Sequence, residues 1–230
     1  YPEKWLKSID GVMNFTFREI TLRLLRGEIN SSRALQMLSD TISDAGIEPI
    51  LKSWNLLDNH DVARLKNLLD HEALQKLAQV LQFTLPGSPN LYYGTELGMD
   101  GGNDPMNRAP MRWDLLNEDN ETLKWVKSLI QLHKQERALK IGDFIPVYAD
   151  NLLMFMRVTE NVSDTCIVAI NPTNKTISDT VLLKDSRLMN YSRFKVVLAG
   201  LMTVKLDPYG FVVIKPNTKP EKSYTPYKRV

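Results

Sequence analysis

Within "NLLDNHDVARL", residues 55–65, two carboxylates, Asp58 and Asp61, surround His60 at the point where an apolar run stops. These side chains are too polar to sit there for packing, and they are the acceptor and donor types from which ligand-binding and acid–base sites are built. A plainer reading makes Asp58 the cap of a loop and pairs Asp61 with Arg64, three residues on. Spacing alone does not separate the two.

The elements that must position these residues follow from periodicity. "TFREITLRLLRG" places Phe17, Ile20, Leu24 and Leu25 on one helical face, and Gly27 ends the run as a C-cap would. A second helix fits "SSRALQMLSDTISDAG", with Ser31 or Ser32 as N-cap and Gly46 as stop. The run from Trp54 to Leu57 is too short for a helix and suits a buried strand. "HEALQKLAQVLQFTL" reads as a third helix closed by "PGSP", "NLYYG" as another short strand, and "ETLKWVKSLIQLHKQERAL" as a fourth helix. Short strands alternating with long helices predict βα units and a parallel sheet, in which chemistry sits at the C-terminal ends of strands. The tip carrying Asp58, His60 and Asp61 is such an end.

From about Gly142 the period changes to two, in "FIPVYAD", "LLMFMRV", "TCIVAIN", "TVLL", "FKVVLAG" and "YGFVVIK". These predict a small antiparallel β domain. The tail "PNTKPEKSYTPYKRV", rich in proline and lysine, is expected to wrap the surface or stay disordered. No internal repeat is present.

Composition bounds the function classes. The 230 residues are 43% hydrophobic and 24% charged with a formal net charge of +2, as in ordinary globular domains, so charge names no nucleic-acid partner. No stretch approaches the roughly 18 apolar residues of a membrane span, and no charged-then-apolar leader opens the chain at Tyr1. The single cysteine, Cys166, reads as a small buried hydrophobe in a strand.

Several ordered stretches carry a resemblance. "LLDNHDVAR" resembles the fourth conserved region of the α-amylase superfamily of glycoside hydrolases, and "LPGSPNLYYGTELGMDGG" resembles the eighth barrel strand and its loop in that superfamily. "GGNDPMNRAPMRWD" resembles the neopullulanase, cyclomaltodextrinase and maltogenic amylase branch, as does "IDGVMNFTFREITLRLL" for the sixth strand and helix. The likeness runs in order from about residue 9 to residue 138 and implies an α/β fold followed by an all-β one. Residues 1–140 would be the C-terminal part of a (β/α)8 TIM barrel, strands six to eight with their helices. Residues 141–216 would be a small antiparallel β-sandwich, and 217–230 a tail.

The resemblance also implies roles. The aspartate matching Asp61 is the third catalytic carboxylate, a transition-state stabiliser that binds hydroxyls of the sugar in the reacting subsite, in bonds that strengthen as positive charge develops on the ring. The histidine matching His60 donates to the same sugar. Asp104 and Arg108 match a substrate-binding pair on the non-reducing side of the cleft, where a guanidinium fork and a carboxylate suit a polyhydroxylated ligand; a pair that only braces its loop is the plainer alternative. Tyr92 and Tyr93 are expected in the strand, packed in the core. Glu96 is expected to be structural, Trp113 to close its loop against the barrel, and Arg64 to orient the Asp61 segment.

The nucleophile and the general acid/base, which retaining glycosidases hold about 5 to 5.5 Å apart, end the fourth and fifth strands in the family and have no counterpart here. The expectation is a fragment of a retaining α-glucan hydrolase acting on α-1,4 bonds of maltooligosaccharides, cyclodextrins, pullulan or starch, inactive as an isolated chain. The alternative is a non-catalytic carbohydrate-binding module using the same cleft. No organic cofactor is implied, and no metal site is expected in this segment; calcium belongs mostly to the missing part. The expected partner is an α-glucan oligosaccharide, with no nucleic acid and no membrane. The resemblance leaves room for a homodimeric parent in a bacterial cytoplasm or periplasm, but the compartment is not readable from the chain.

Overall fold

The computed structural model describes residues 8–183, 196–198 and 201–216. The first half alternates helices with short parallel strand segments. Met13 makes a parallel bridge to Trp54, and strand β1 (Trp54–Leu56) pairs in parallel with β2 (Ser88–Asn90). Helices α1 (Phe15–Leu25), α2 (Ser31–Ala45) and α3 (Ile47–Lys52) separate Met13 from β1, while α4 (Leu65–Leu68) and α5 (Glu72–Thr84) separate β1 from β2.

Local chemistry starts and stops these helices. The Asn14 carboxamide accepts from Phe17 N–H at 3.0 Å to begin α1, whose buried face includes Phe17, Ile20, Leu24 and Leu25 as expected. Gly27, at φ 73°, follows its end in the left-handed region that glycine adopts most readily. The cap of α2 differs from expectation. Asn30, not a serine, accepts from Arg33 N–H at 2.8 Å. Ser31 is thereby free to donate to the carbonyl of Asn151, 2.6 Å away and 120 residues on.

Strand β2 also departs from expectation, lying upstream of the apolar letters of "NLYYG". What aligns it is polar: Ser88 N–H donates to Ser53 O at 2.8 Å, and Gln82 Nε2 donates to both Asn55 O and Asn90 O, bracing the two strands. Gly87 stands at φ 127°, and a Cβ there would meet the buried Asn55 side chain at 2.5 Å. Close approach of backbone to Asn55 therefore demands glycine at this turn.

The fourth expected helix is two. Helix α6 (Glu121–Gln135) stops at Glu136, whose backbone is extended, and α7 (Arg137–Ile141) follows. The Glu136 carboxylate pairs with Lys215.

Beyond α7 come two antiparallel sheets. One is ordered β3 (Asp143–Val147), β4 (Leu153–Val158), β5 (Cys166–Ile170), β9 (Phe211–Ile214); the other is β6 (Ile177–Leu182), β8 (Leu201–Leu206), β7 (Val196–Leu198). Alternation along β4 sorts its side chains. Leu153 and Phe155 join Val168 and Ile170 in the core of the helical half, whereas Met154 and Met156 join Ile167, Ala169, Val181, Met202 and Val204 between the sheets. The first sheet is thus apolar on both faces, and its central strand residues are buried throughout.

Arg157 continues the helix-facing row and is fully buried. Its guanidinium donates to Thr84 O at 2.8 Å, Leu139 O at 3.1 Å and Gly142 O at 2.8 and 3.3 Å, closing the C-terminal ends of α5 and α7 with one side chain. On the other side Asp179 accepts from Asn151 N–H, Leu152 N–H and the Asn151 carboxamide at 2.7, 2.9 and 3.1 Å. Cys166 is buried in β5, as expected, and burial pushes its thiol up to about 12. The expected tail 217–230, and most of the expected strand "FKVVLAG", lie outside the described residues.

Candidate functional site

Strand β1 delivers the site. After Leu56 the backbone runs through buried Leu57, Asp58 and Asn59, with Arg18 of α1 donating to Leu57 O at 2.8 Å. Asp58, 1% exposed, caps the next element, accepting from Leu65 N–H at 2.9 Å and from the Thr95 hydroxyl at 2.7 Å. Burial raises its carboxyl above the ordinary range, against those two hydrogen bonds and the charges of Arg64 and Arg18.

A tight turn follows. Asn59 forms an antiparallel bridge with Val62, and its side-chain oxygen accepts from Asp61 N–H at 2.8 Å. The turn lifts His60 and Asp61 into solvent, with side chains 58% and 56% exposed and His60 Nε2 3.3 Å from Asp61 Oδ1.

The second wall is the loop after β2, through Asp100–Ala109. Gly101 O accepts from Arg64 N–H at 2.9 Å, and a Cβ on Gly101 would meet Met106 O at 2.7 Å and Asn107 Cα at 2.9 Å, so glycine lets this loop fold back on itself. Arg108, at the end of a 3₁₀ turn, reaches three groups. Its Nε lies 3.0 Å from Asp104 Oδ1 and donates to His60 O at 3.0 Å, while its Nη2 is 3.7 Å from Asp61 Oδ1. The four residues singled out in the sequence, His60, Asp61, Asp104 and Arg108, therefore meet around one guanidinium.

The plainer pairing of the turn does not form. Asp61 pairs with Arg108 and not with Arg64. The Arg64 guanidinium is buried against the rings of Tyr92 and Tyr93, 4.5 and 4.6 Å from their centroids, and donates to Tyr93 O at 2.6 Å. Its link to the site is the backbone bond to Gly101. Tyr92 and Tyr93 lie past β2 rather than in it, and their hydroxyls hold the loop by donating to Asn107 O at 3.3 Å and Ala109 O at 2.7 Å. Trp113 is 69% exposed in this chain.

The sequence reading missed Asn107 and Asn59. Asn107 is fully buried, and its carboxamide donates to His60 O at 2.8 Å, Val62 O at 3.0 Å and Asn59 O at 3.4 Å. Its place inside the quoted "NDPMNRAP" was the only signal available.

Chemically, the cluster offers two exposed carboxylates, an imidazole and a guanidinium within reach of one another. That set matches the paired donors and acceptors of vicinal hydroxyls. Among the described residues, no group of three or more His, Cys, Asp or Glu is arranged to hold a metal ion, and no helix is long and apolar enough to cross a membrane.

The chain is similar to known proteins. The family described as "Alpha amylase, catalytic domain" matches residues 3–120. A cyclomaltodextrinase of Geobacillus thermopakistaniensis is 34% identical over 222 residues, covering 91% of this chain and 37% of that protein. Neopullulanase 2 of Thermoactinomyces vulgaris is 34% identical over 193 residues, covering 78% of this chain and 31% of its own length. The solved maltogenic amylase from S. marinus superposes with a TM-score of 0.72 at 30% identity, covering 94% of this chain and 30% of that one. The chain thus spans about a third of the length of these relatives.

Proposed function

Because the chain belongs to the α-amylase catalytic-domain family, we propose that it is the C-terminal portion of a retaining α-glucan hydrolase cleaving α-1,4-glucosidic bonds in maltooligosaccharides, cyclodextrins, pullulan or starch. Met13, β1 and β2 stand for barrel strands six, seven and eight. Residues 1–140 belong to the barrel, 141–216 to a β-sandwich and 217–230 to a tail. The convergence of Asp61, His60 and Asp104 on Arg108 carries the reading.

Asp61 is the transition-state stabiliser. Its carboxylate accepts from two adjacent hydroxyls of the sugar in the reacting subsite, and those bonds shorten and strengthen as the ring gains oxocarbenium character. His60 donates to the same sugar. Arg108 holds Asp61 from behind through a charge contact at 3.7 Å, and with Asp104 it offers a fork and an acceptor to the neighbouring glucose. The exposure of these groups leaves room for hydroxyls to replace water without unburying any side chain.

The isolated chain lacks a nucleophile and a general acid/base and is inactive. Three strand segments among the described residues, of a fold that needs eight, a span of about a third of the relatives, and exposed Ile9, Met13, Phe15 and Trp54 all support a working unit larger than these residues.

Hydrolysis of maltotriose and a cyclodextrin by the purified chain, with Asp61→Asn beside it, tests this. The expected result is no turnover by either, and turnover on supplying the upstream barrel segment, abolished again by Asp61→Asn. Turnover by the chain alone that Asp61→Asn removes would contradict the fragment reading. Maltotriose binding with no turnover in the complete protein would favour the binding module instead.

A further inference from the structure

We propose that Asn107 is a positioning residue for Asp61, acting as a clamp on the turn that carries His60 and Asp61. This rests on the reading of Asp61 as a sugar-binding carboxylate and goes beyond it by naming what fixes that carboxylate.

The turn has few ways to hold itself. Its internal ties are the Asn59–Val62 bridge and the bond from Asp61 N–H to the Asn59 side chain. Both functional side chains are more than half exposed, so packing does not orient them. Three carbonyls of the turn, those of residues 59, 60 and 62, instead converge on the Asn107 amide at 3.4, 2.8 and 3.0 Å. The amide carries two N–H donors, which serve His60 O and Val62 O, and Asn59 O at 3.4 Å shares one of them; a carboxylate has none to give.

Asn107 is itself held rigidly. It is fully buried, Tyr92 donates to its backbone carbonyl, and the close fold of the loop at Gly101 brings that backbone against Cα of Asn107. The next residue, Arg108, donates to His60 O, the same carbonyl that Asn107 contacts. One carbonyl thus joins the turn to the loop, so Asn107, together with Arg108, helps to set the spacing between Asp61 and the Asp104–Arg108 pair.

The test is a double-mutant cycle in the complete protein, with maltotriose dissociation constants for wild type, Asp61→Asn, Asn107→Ala and the pair. Each single change is expected to weaken binding about tenfold, as for loss of one charge-assisted hydrogen bond. The pair is expected to be little weaker than either, because Asn107 acts through Asp61. Asn107→Ser, which keeps one donor, is expected to fall between wild type and Asn107→Ala, and it carries the same cycle should the alanine variant not fold. Additive losses in the pair, or unchanged binding in the folded Asn107 variants while Asp61→Asn is weakened, would overturn the clamp. Unchanged binding in Asp61→Asn would instead overturn the reading of Asp61 on which the clamp rests.

Discussion

Arg108 stands between Asp104 and Asp61, its Nε 3.0 Å from the first carboxylate and its Nη2 3.7 Å from the second. One side chain therefore joins the turn after β1 to the loop after β2. Since all three groups are about half exposed, water screens the pairs and their value to stability is small. Their value is geometric.

That makes Arg108 intolerant of a conservative change. Lysine keeps the charge but has one point of attachment where Arg108 uses Nε for Asp104 and His60 O and Nη2 for Asp61. Arg108→Lys is expected to weaken maltotriose binding about tenfold while moving the unfolding midpoint hardly at all. Titration calorimetry and a thermal melt on the same sample check both.

Arg157 sits under opposite rules. It is fully buried and satisfies carbonyls from the ends of two helices, and burial pushes its guanidinium pKa down while the bonds it makes all need donors. Arg157→Met removes the charge but leaves three carbonyls without partners, at a cost of about 3 kcal/mol. The melting temperature is expected to drop by about 6–12 °C, with separation of helical and sheet signals in the melt if the two halves lose their coupling.

Two groups contribute to the loss of stability in acid. His133 is half-buried, its Nδ1–H facing the Phe83 carbonyl at 2.9 Å; burial lowers its pKa below the ordinary 6.5, helped by Arg157 and Lys140 and opposed by that carbonyl. A depressed histidine is neutral in the fold and protonated more readily when unfolded, so its stability contribution is complete above pH 6.5 and is lost as pH falls through the folded value. For Asp179, burial raises the carboxyl but the bonds from Leu152 and Asn151 outweigh it and leave it below the ordinary 3.8. Its contribution is complete above pH 3.8 and lost below that. Denaturant midpoints are expected to fall as pH drops below 6.5 and again below 3.8, with His133→Gln weakening the first fall and Asp179→Asn the second.

How much of this was readable in the letters depended on the range of the interaction. The amphipathic helices α1, α2, α5 and α6 follow from spacing, because their buried faces are local patterns. The turn bearing His60 and Asp61 is likewise a local feature. Strand β2 was misplaced because Gln82 and Ser53 align it, not its own apolar letters. Asn107 could not be seen, since its partners lie 45 to 48 residues away and nothing in an asparagine announces them. The double burial of β4 stood in its unbroken apolar run, Leu152–Met156, which a reading by period two alone passed over.

The central claim is that an α-glucan rests on Asp61, His60, Asp104 and Arg108. Its most direct measurement is a maltotriose titration of the protein followed residue by residue by heteronuclear NMR, with Asp61→Asn alongside. The predicted result is saturable shifts in the 58–62 turn and the 101–109 loop, weakened about tenfold or more in the variant. Shifts confined to other parts of the fold, or a variant that binds as the wild type does, would contradict it.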